Sequence, residues 1–288
     1  MNTTLQAAFW MIGAITSFTL MAISGRTVSV ELDTFEIMLF RSITGIIIVV
    51  SVAWYAGTLQ QISRNRLRLH ATRNICHFAG QNLWFYAITV IPLAQVFALE
   101  FTTPIWVILL SPLLLKERLT GIGLLSAGIG FIGILIVARP DPANISIGLV
   151  AAAGCAVFFA LTAIFTRKLT RTESITTILF YLTTMQAVFG LICAGYDGDI
   201  TVPSLQALPW VILIGCAGLL AHFCLTKAIS IAPVSVVMPI DFVRLPTIAL
   251  VGMFLYGESL EVMVFVGAAI IFAANYLNIS HAIRADKA

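Results

Sequence analysis

Charge is what this sequence has least of. Asp, Glu, Lys and Arg make up 10% of its 288 residues, against about one quarter in soluble domains, and that shortage excludes an ordinary water-soluble fold. Cysteine is sparse as well. Cys76, Cys155, Cys193, Cys216 and Cys224 are an odd number scattered through apolar runs, so no disulfide framework is expected, and no CxxC or Cys/His spacing offers a zinc site. Walker, HExxH and G-x-S-x-G motifs are all missing. The net charge of +3 is modest, and no basic run is interleaved with aromatics as a nucleic-acid surface would require. Asp197-Gly198-Asp199 is too short for a calcium loop. Neither a metal nor a cofactor is expected.

What the chain has instead is hydrocarbon: 60% hydrophobic residues and a mean hydropathy of +1.02. Crossing about 30 Å of bilayer core takes roughly 20 apolar residues, so the length accommodates about ten spans joined by short loops. Apolar runs and turn residues place helices near 5–23, 35–56, 70–91, 93–115, 119–138, 146–166, 174–195, 206–226, 234–256 and 260–280. The first run is too long for a signal h-region and has no basic n-region, so it is expected to be retained as a helix. Gly128-Ile129-Gly130-Phe131-Ile132-Gly133 matches a dinucleotide fingerprint but follows no strand and lies within an apolar span. Its expected role is helix packing, together with Gly123, Ser126 and Ala127.

Basic residues set the orientation, because short cytoplasmic loops collect them. With the N-terminus inside, one face holds Arg64, Arg66, Arg68, Arg73, Lys116, Arg118, Arg167, Lys168, Arg171, Lys227, Arg284 and Lys287, and the other only Arg26 and Arg139. Twelve against two predicts an even number of spans and two cytoplasmic termini.

The segment 85–118 returns 141 positions later as 226–259. Ala87-Ile88-Thr89-Val90-Ile91-Pro92 faces Ala228-Ile229-Ser230-Ile231-Ala232-Pro233, Glu100-Phe101 faces Asp241-Phe242, and Glu117 faces Glu258, without a gap. This is an internal duplication. Five helices per copy is an odd number, so the second copy enters the membrane inverted. The expected fold is an all-α membrane protein of ten transmembrane helices, in two inverted five-helix repeats (1–142 and 143–288) around a central cavity.

Leu115-Lys116-Glu117-Arg118-Leu119 with Gly121, and Tyr256-Gly257-Glu258-Ser259-Leu260 with Gly267, resemble the repeat ends of the EamA-type family of the drug/metabolite transporter superfamily. That resemblance covers essentially the whole chain. It implies solute transport without ATP through a cavity formed chiefly by the third, fourth, eighth and ninth helices. Phe40-Arg41 and Arg73 also resemble a subgroup that carries S-adenosylmethionine and other zwitterions.

Candidate site residues follow from charge inside the apolar runs. Glu100 and Asp241 lie eight residues past their prolines, about 12 Å into the membrane, where ionised groups are costly and mark pathways, proton relays or counter-ions. Asp241 can pair with Arg244 on its own helix face, and Glu100 with Arg41. Glu100 has no basic residue within four positions and is therefore the candidate coupling residue, with a proton as the coupling ion. The arginines Arg41, Arg73 and Arg244 suit a carboxylate or phosphate, although Arg73 equally suits a snorkelling role at the interface. Along the third helix, His70, Arg73, Asn74, His77, Gln81 and Trp84 form a polar face, and Gln81 maps by the repeat onto His222. His77, Gln81 and His222 are expected at the substrate site, where Trp84, Tyr86 and Phe97 can stack on a planar solute or simply pack. Pro104 and Pro246 are expected mid-helix, freeing the carbonyls of Glu100 and Phe242. Glu117 and Glu258, at helix ends near opposite surfaces, are expected to gate or cap.

These expectations describe a secondary transporter in a bacterial-type inner membrane, with a small-molecule substrate and the lipid bilayer as its partners and no nucleic acid. The solute is a polar zwitterion or anion, such as an amino acid or derivative. The rival is an integral-membrane enzyme using Glu100, Asp241 and a histidine as acid and base, which no nucleophile–base motif supports.

Overall fold

A computed structural model describes residues 3–115, 121–138, 146–231, 243–259 and 261–285. Among these, all regular structure is helical. In chain order the helices are α1 (Thr3–Val28), α2 (Thr34–Tyr55), α3 (Leu67–Val90), α4 (Leu93–Glu100), α5 (Thr103–Leu115), α6 (Gly121–Ala138), α7 (Ile147–Leu169), α8 (Ile175–Ala194), α9 (Leu208–Ile231), α10 (Arg244–Tyr256) and α11 (Val262–Ala285), with a 3₁₀ turn at Leu59–Gln61. Six stretches are long and apolar enough to cross a membrane, namely α1, α2, the run Leu93–Leu110, α7, α8 and α9, while α6, α10 and α11 provide shorter apolar segments. α3 is as long as its neighbours, but its polar stripe removes it from that set. The chain is a multi-pass membrane protein, and exposed Phe9, Ile12, Ile47, Trp54, Phe131 and Phe254 provide the apolar exterior that faces lipid.

Local chemistry fixes the helix ends. Asp33 accepts from the Glu36 N–H and Glu36 from the Asp33 N–H, both at 2.8 Å, a capping box that starts α2. Glu36 also accepts from the Thr201 N–H at 2.6 Å, so the loop before α9 is tied to the same corner. α10 stops at Gly257, whose φ of 66° ends the helix in the left-handed region.

The helices pair across the midpoint of the chain: α1 on α9, α3 on α7, α2 on α8, α6 on α11 and α4 on α10. Close approach needs small residues at one of these seams. A Cβ on Gly133 would stand 2.8 Å from the Gly267 carbonyl oxygen, and one on Gly267 2.7 Å from that of Gly133. The apparent dinucleotide motif is therefore a backbone contact between α6 and α11, although Gly128 meets nothing.

The run predicted as one helix over 93–115 is two. α4 ends at Glu100, the chain turns through Phe101 and Thr102, and α5 begins at Thr103. Pro104 is the second residue of α5 and Pro246 the third of α10. Both prolines thus open a helical segment instead of kinking one midway, because the first turn has no use for the N–H that proline lacks.

Candidate functional site

The break after α4 leaves backbone carbonyls inside the protein, and side chains satisfy them. The Thr102 hydroxyl donates to the Leu99 carbonyl and the Thr103 hydroxyl to the Glu100 carbonyl, each at 2.6 Å, while the Asn275 amide reaches the Phe101 carbonyl from α11 at 3.1 Å. The Glu100 side chain is left to face the interior at the end of a half-helix, as charged residues do at discontinuous helices.

There it meets two donors. Trp84 Nε1 donates to one carboxylate oxygen at 2.8 Å, and Arg244 Nη2 to the other at 3.1 Å. Phe18, Phe97 and Phe101 surround the Arg244 guanidinium at 4.8, 5.1 and 4.9 Å. A carboxylate and a guanidinium are thus held together in an aromatic box, where low polarity strengthens their attraction. The expected pairing of Glu100 with Arg41 is corrected by this geometry, as is the view of Glu100 as an acid without a basic neighbour. That view considered only its own helix, whereas its partner lies 144 positions away. Asp241 lies outside the described residues.

Arg41 instead donates to Gln81 and stands over the Phe85 ring at 5.9 Å. Next to this pair the His77 and His222 rings meet edge-on with centroids 6.3 Å apart, and His222 meets Phe18 edge-on at 5.7 Å. Phe18 therefore touches both Arg244 and His222, joining the two clusters. Trp84, Gln81 and His77 supply one side of this space from successive turns of α3. Arg73 lies at the far end of the same stripe, about 16 Å from Trp84 along the helix axis. It donates to Asn74 at 2.7 Å and to the Thr166 hydroxyl at 3.1 Å. Only 6% exposed, it is a buried crosslink between α3 and α7, not a snorkelling residue. Neither Arg41 nor Arg73 has a carboxylate within ion-pair distance among the described residues. Of the aromatic candidates, Trp84 and Phe97 belong to the box around Glu100 and Arg244, whereas Tyr86 is 37% exposed on the outside of α3.

A third cluster closes one end of the molecule. Glu258 pairs with Arg26 and accepts from the Leu93 N–H at 2.9 Å. Arg26 also donates to the Ile91 carbonyl at 3.2 Å and lies 4.5 Å from the Tyr256 ring centroid. One carboxylate therefore ties α1, the start of α4 and the end of α10. Glu117, the other candidate gate, lies outside the described residues.

Sequence reasoning passed over Arg26, Phe18, Asn275 and Gln186 as site residues. The last two carried a signal, each being an amide within an apolar run. Arg26 was visible only as one of two cations on the sparsely charged face, and nothing distinguished Phe18 from eighteen other phenylalanines.

A lipid-facing helical bundle, a broken helix ending in a half-buried acid and arginines directed inward are the features of a membrane transporter of small molecules. The chain belongs to the EamA-like transporter family, which it matches twice, over residues 5–139 and 146–280. Among similar proteins, a riboflavin transporter of Brucella anthropi is 33% identical over 211 residues, covering 72% of this chain and 74% of that one. An S-adenosylmethionine uptake transporter of Rickettsia felis is 24% identical over 95% of this chain and 92% of its own. A solved crystal structure shares the fold with a TM-score of 0.65 at 16% identity, over 96% of this chain and 98% of that one. The protein is a small-metabolite transporter and not an enzyme.

Proposed function

We propose that the chain carries a polar metabolite with an anionic group, in the class of amino acids and their adenosyl derivatives, across the cytoplasmic membrane by alternating access. The observation behind this reading is the charge balance of the interior. Arg244 is matched by Glu100, but among the described residues Arg41 is hydrogen-bonded only to neutral groups. A guanidinium in a membrane interior without an acid is costly, and a carboxylate on the solute offsets that cost. Ten spans in two inverted repeats, 1–142 and 143–288, are the architecture proposed for this movement. The twofold family match and the pairing of α1 with α9 and α3 with α7 support it, since exchanging the halves turns one pair into the other.

In this reading Glu258 with Arg26 forms the outer gate, and Glu117 belongs to its inner counterpart. Glu100 is the coupling residue. A proton on its carboxyl removes the charge that holds Arg244, freeing the guanidinium for solute. His77, Gln81, Trp84 and His222 line the path, Asp241 contributes from the second repeat, and Arg73 stabilises its inner end.

A second reading, a flavin, follows from the named activity of the Brucella anthropi relative. Its isoalloxazine carbonyls would accept from arginine where the other class presents a carboxylate. Proteoliposomes decide between them. Saturable uptake of labelled S-adenosylmethionine, competed by amino acids and indifferent to riboflavin, is the expected result; uptake of riboflavin alone transfers the assignment to flavins. Uptake of neither sinks both.

A further inference from the structure

A second polar space adjoins the Glu100–Arg244 box, linked to it by His222, which lines the one and meets Phe18 of the other. It is a narrow cleft between α2, α8 and α9, partly open, with a cavity of about 20 Å³, room for one small polar group, and Arg41, Gln186 and His222 line it. Its walls are kept back by glycine. A Cβ on Gly218 would stand 3.2 Å from Arg41 Nη2, one on Gly215 3.1 Å from the Arg41 carbonyl oxygen, and one on Gly45 2.8 Å from the Thr183 methyl. Larger residues at these positions would crowd the guanidinium or fill the cleft.

Two donors in this cleft lack acceptors among the described residues. Gln186 is 2% exposed, and its Nε2 has no hydrogen-bond partner. Leaving such a donor unmatched costs about 1–3 kcal/mol. Arg41 spends Nη1 on Gln81 and the Met38 sulfur, while Nη2 points toward Gly218. By contrast, the Ser42 and Thr183 hydroxyls are engaged with carbonyls of their own helices, at 2.6 and 3.1 Å. A space that, among the described residues, is lined by one cation without a carboxylate, one unmatched amide N–H₂ and no acid has the chemistry of an anion site. The planar fork of arginine beside an amide donor matches a carboxylate in particular.

We propose that this cleft is a carboxylate subsite, in which Arg41 and Gln186 donate to the anionic end of the transported solute while its remainder reaches toward His222 and the box around Glu100. Gln186 is then a specificity-determining residue. The solute assigned to the subsite rests on the transporter reading above; the anion preference of the cleft does not.

The test has two arms. In the first, Gln186→Cys in the full chain is treated with sulfonatoethyl or trimethylammonioethyl methanethiosulfonate, and modification at position 186 is followed by peptide mass spectrometry, each rate normalised to that of free cysteine. The anionic reagent is expected to be favoured by about tenfold, the scale of electrostatic focusing in a cleft, and Arg41→Gln in the same background is expected to abolish the preference. Equal rates, a cationic preference, or reaction only with a neutral membrane-permeant reagent overturns the subsite.

The second arm measures thermal stabilisation by S-adenosylmethionine and by its decarboxylated analogue. Wild type should prefer the carboxylate-bearing form. Gln186→Glu should weaken that form by about tenfold or more through like-charge repulsion, while Gln186→Met, apolar and of similar size, checks that the fold survives. An unchanged affinity in Gln186→Glu overturns the proposal. If wild type binds neither probe, the adenosyl assignment fails and the labelling arm alone decides the subsite.

Discussion

Glu258 accepts a hydrogen bond from the Leu93 N–H at 2.9 Å, joining residues 165 positions apart. Leu93 begins α4, and the free N–H groups of a first turn carry partial positive charge. The carboxylate therefore answers a helix N-terminus and the Arg26 guanidinium together. Gly257 aims it by ending α10 with positive φ, and Gly252 makes room, since a Cβ there would collide with Glu258 Oε2.

Breaking this tie is expected to open the outer end. Glu258→Gln keeps an acceptor for Leu93 but loses the ion pair, and Gly252→Ala displaces the carboxylate itself. In either background a cysteine at Gln81 should react about fivefold faster with an impermeant thiol reagent added outside, the equivalent of about 1 kcal/mol. Unchanged labelling in both variants would remove Glu258 from the gate.

Arg244 and Glu100 should show strong thermodynamic coupling. Arg244→Met takes the guanidinium from a half-buried carboxylate and is expected to destabilise the protein by about 3 kcal/mol, the low end for a buried pair, whereas the double variant with Glu100→Gln should recover most of that loss. Arg244→Lys keeps charge but loses the fork and the flat face against Phe18, Phe97 and Phe101, so uptake should fall about tenfold or more with little change in melting temperature. Melting curves of wild type, Arg244→Met, Glu100→Gln and the double variant check the first statement, and melting and uptake of Arg244→Lys the second. Additive single effects would show that the 3.1 Å contact contributes nothing.

Coupling is tested by Glu100→Gln. The amide mimics a protonated carboxyl, can still accept from Trp84, and cannot hold Arg244 by charge. Accumulation driven by a pH gradient should disappear, while exchange of labelled for unlabelled solute continues. Accumulation with an unchanged pH dependence would leave Glu100 as the structural partner of Arg244 alone.

Topology has an independent check. A reporter fused after Ala288 should be cytoplasmic, and cysteines at Ala143 and near Gly198 should be labelled from outside intact cells. Gly198 has a φ of 82°, so its neighbour is the better site: Asp199→Cys is exposed and avoids backbone strain. Labelling of Asp199→Cys only after permeabilisation would refute the proposed orientation and the inverted arrangement with it.

How much was legible depended on range. Apolar runs placed most helices to within a few residues, and the three- and four-residue spacing of His70, Arg73, Asn74, His77, Gln81 and Trp84 announced a face that the structure buries, except that it said nothing of what each would touch. The proline at 104 signalled a local break but not its form, because whether a helix kinks or restarts depends on who satisfies the freed carbonyls. Here Asn275, on the last helix, is one of those that do.

The sequence by itself determined that this is a helical membrane protein, which residues must face inward, and the family, since hydrophobicity, period and the order of residues in a motif can be read along a chain without knowing what touches what. Only the tertiary structure decided the partners. Glu100 faces Arg244 and not Arg41, Arg41 faces Gln81 and a cleft with Gln186, and Glu258 reaches Arg26 and Leu93. Helix propensity and hydropathy are blind to such pairings. A charged group in a low-dielectric interior is governed by whatever lies within a few ångströms, and for these residues that neighbour arrives from a helix 40 to 232 positions away.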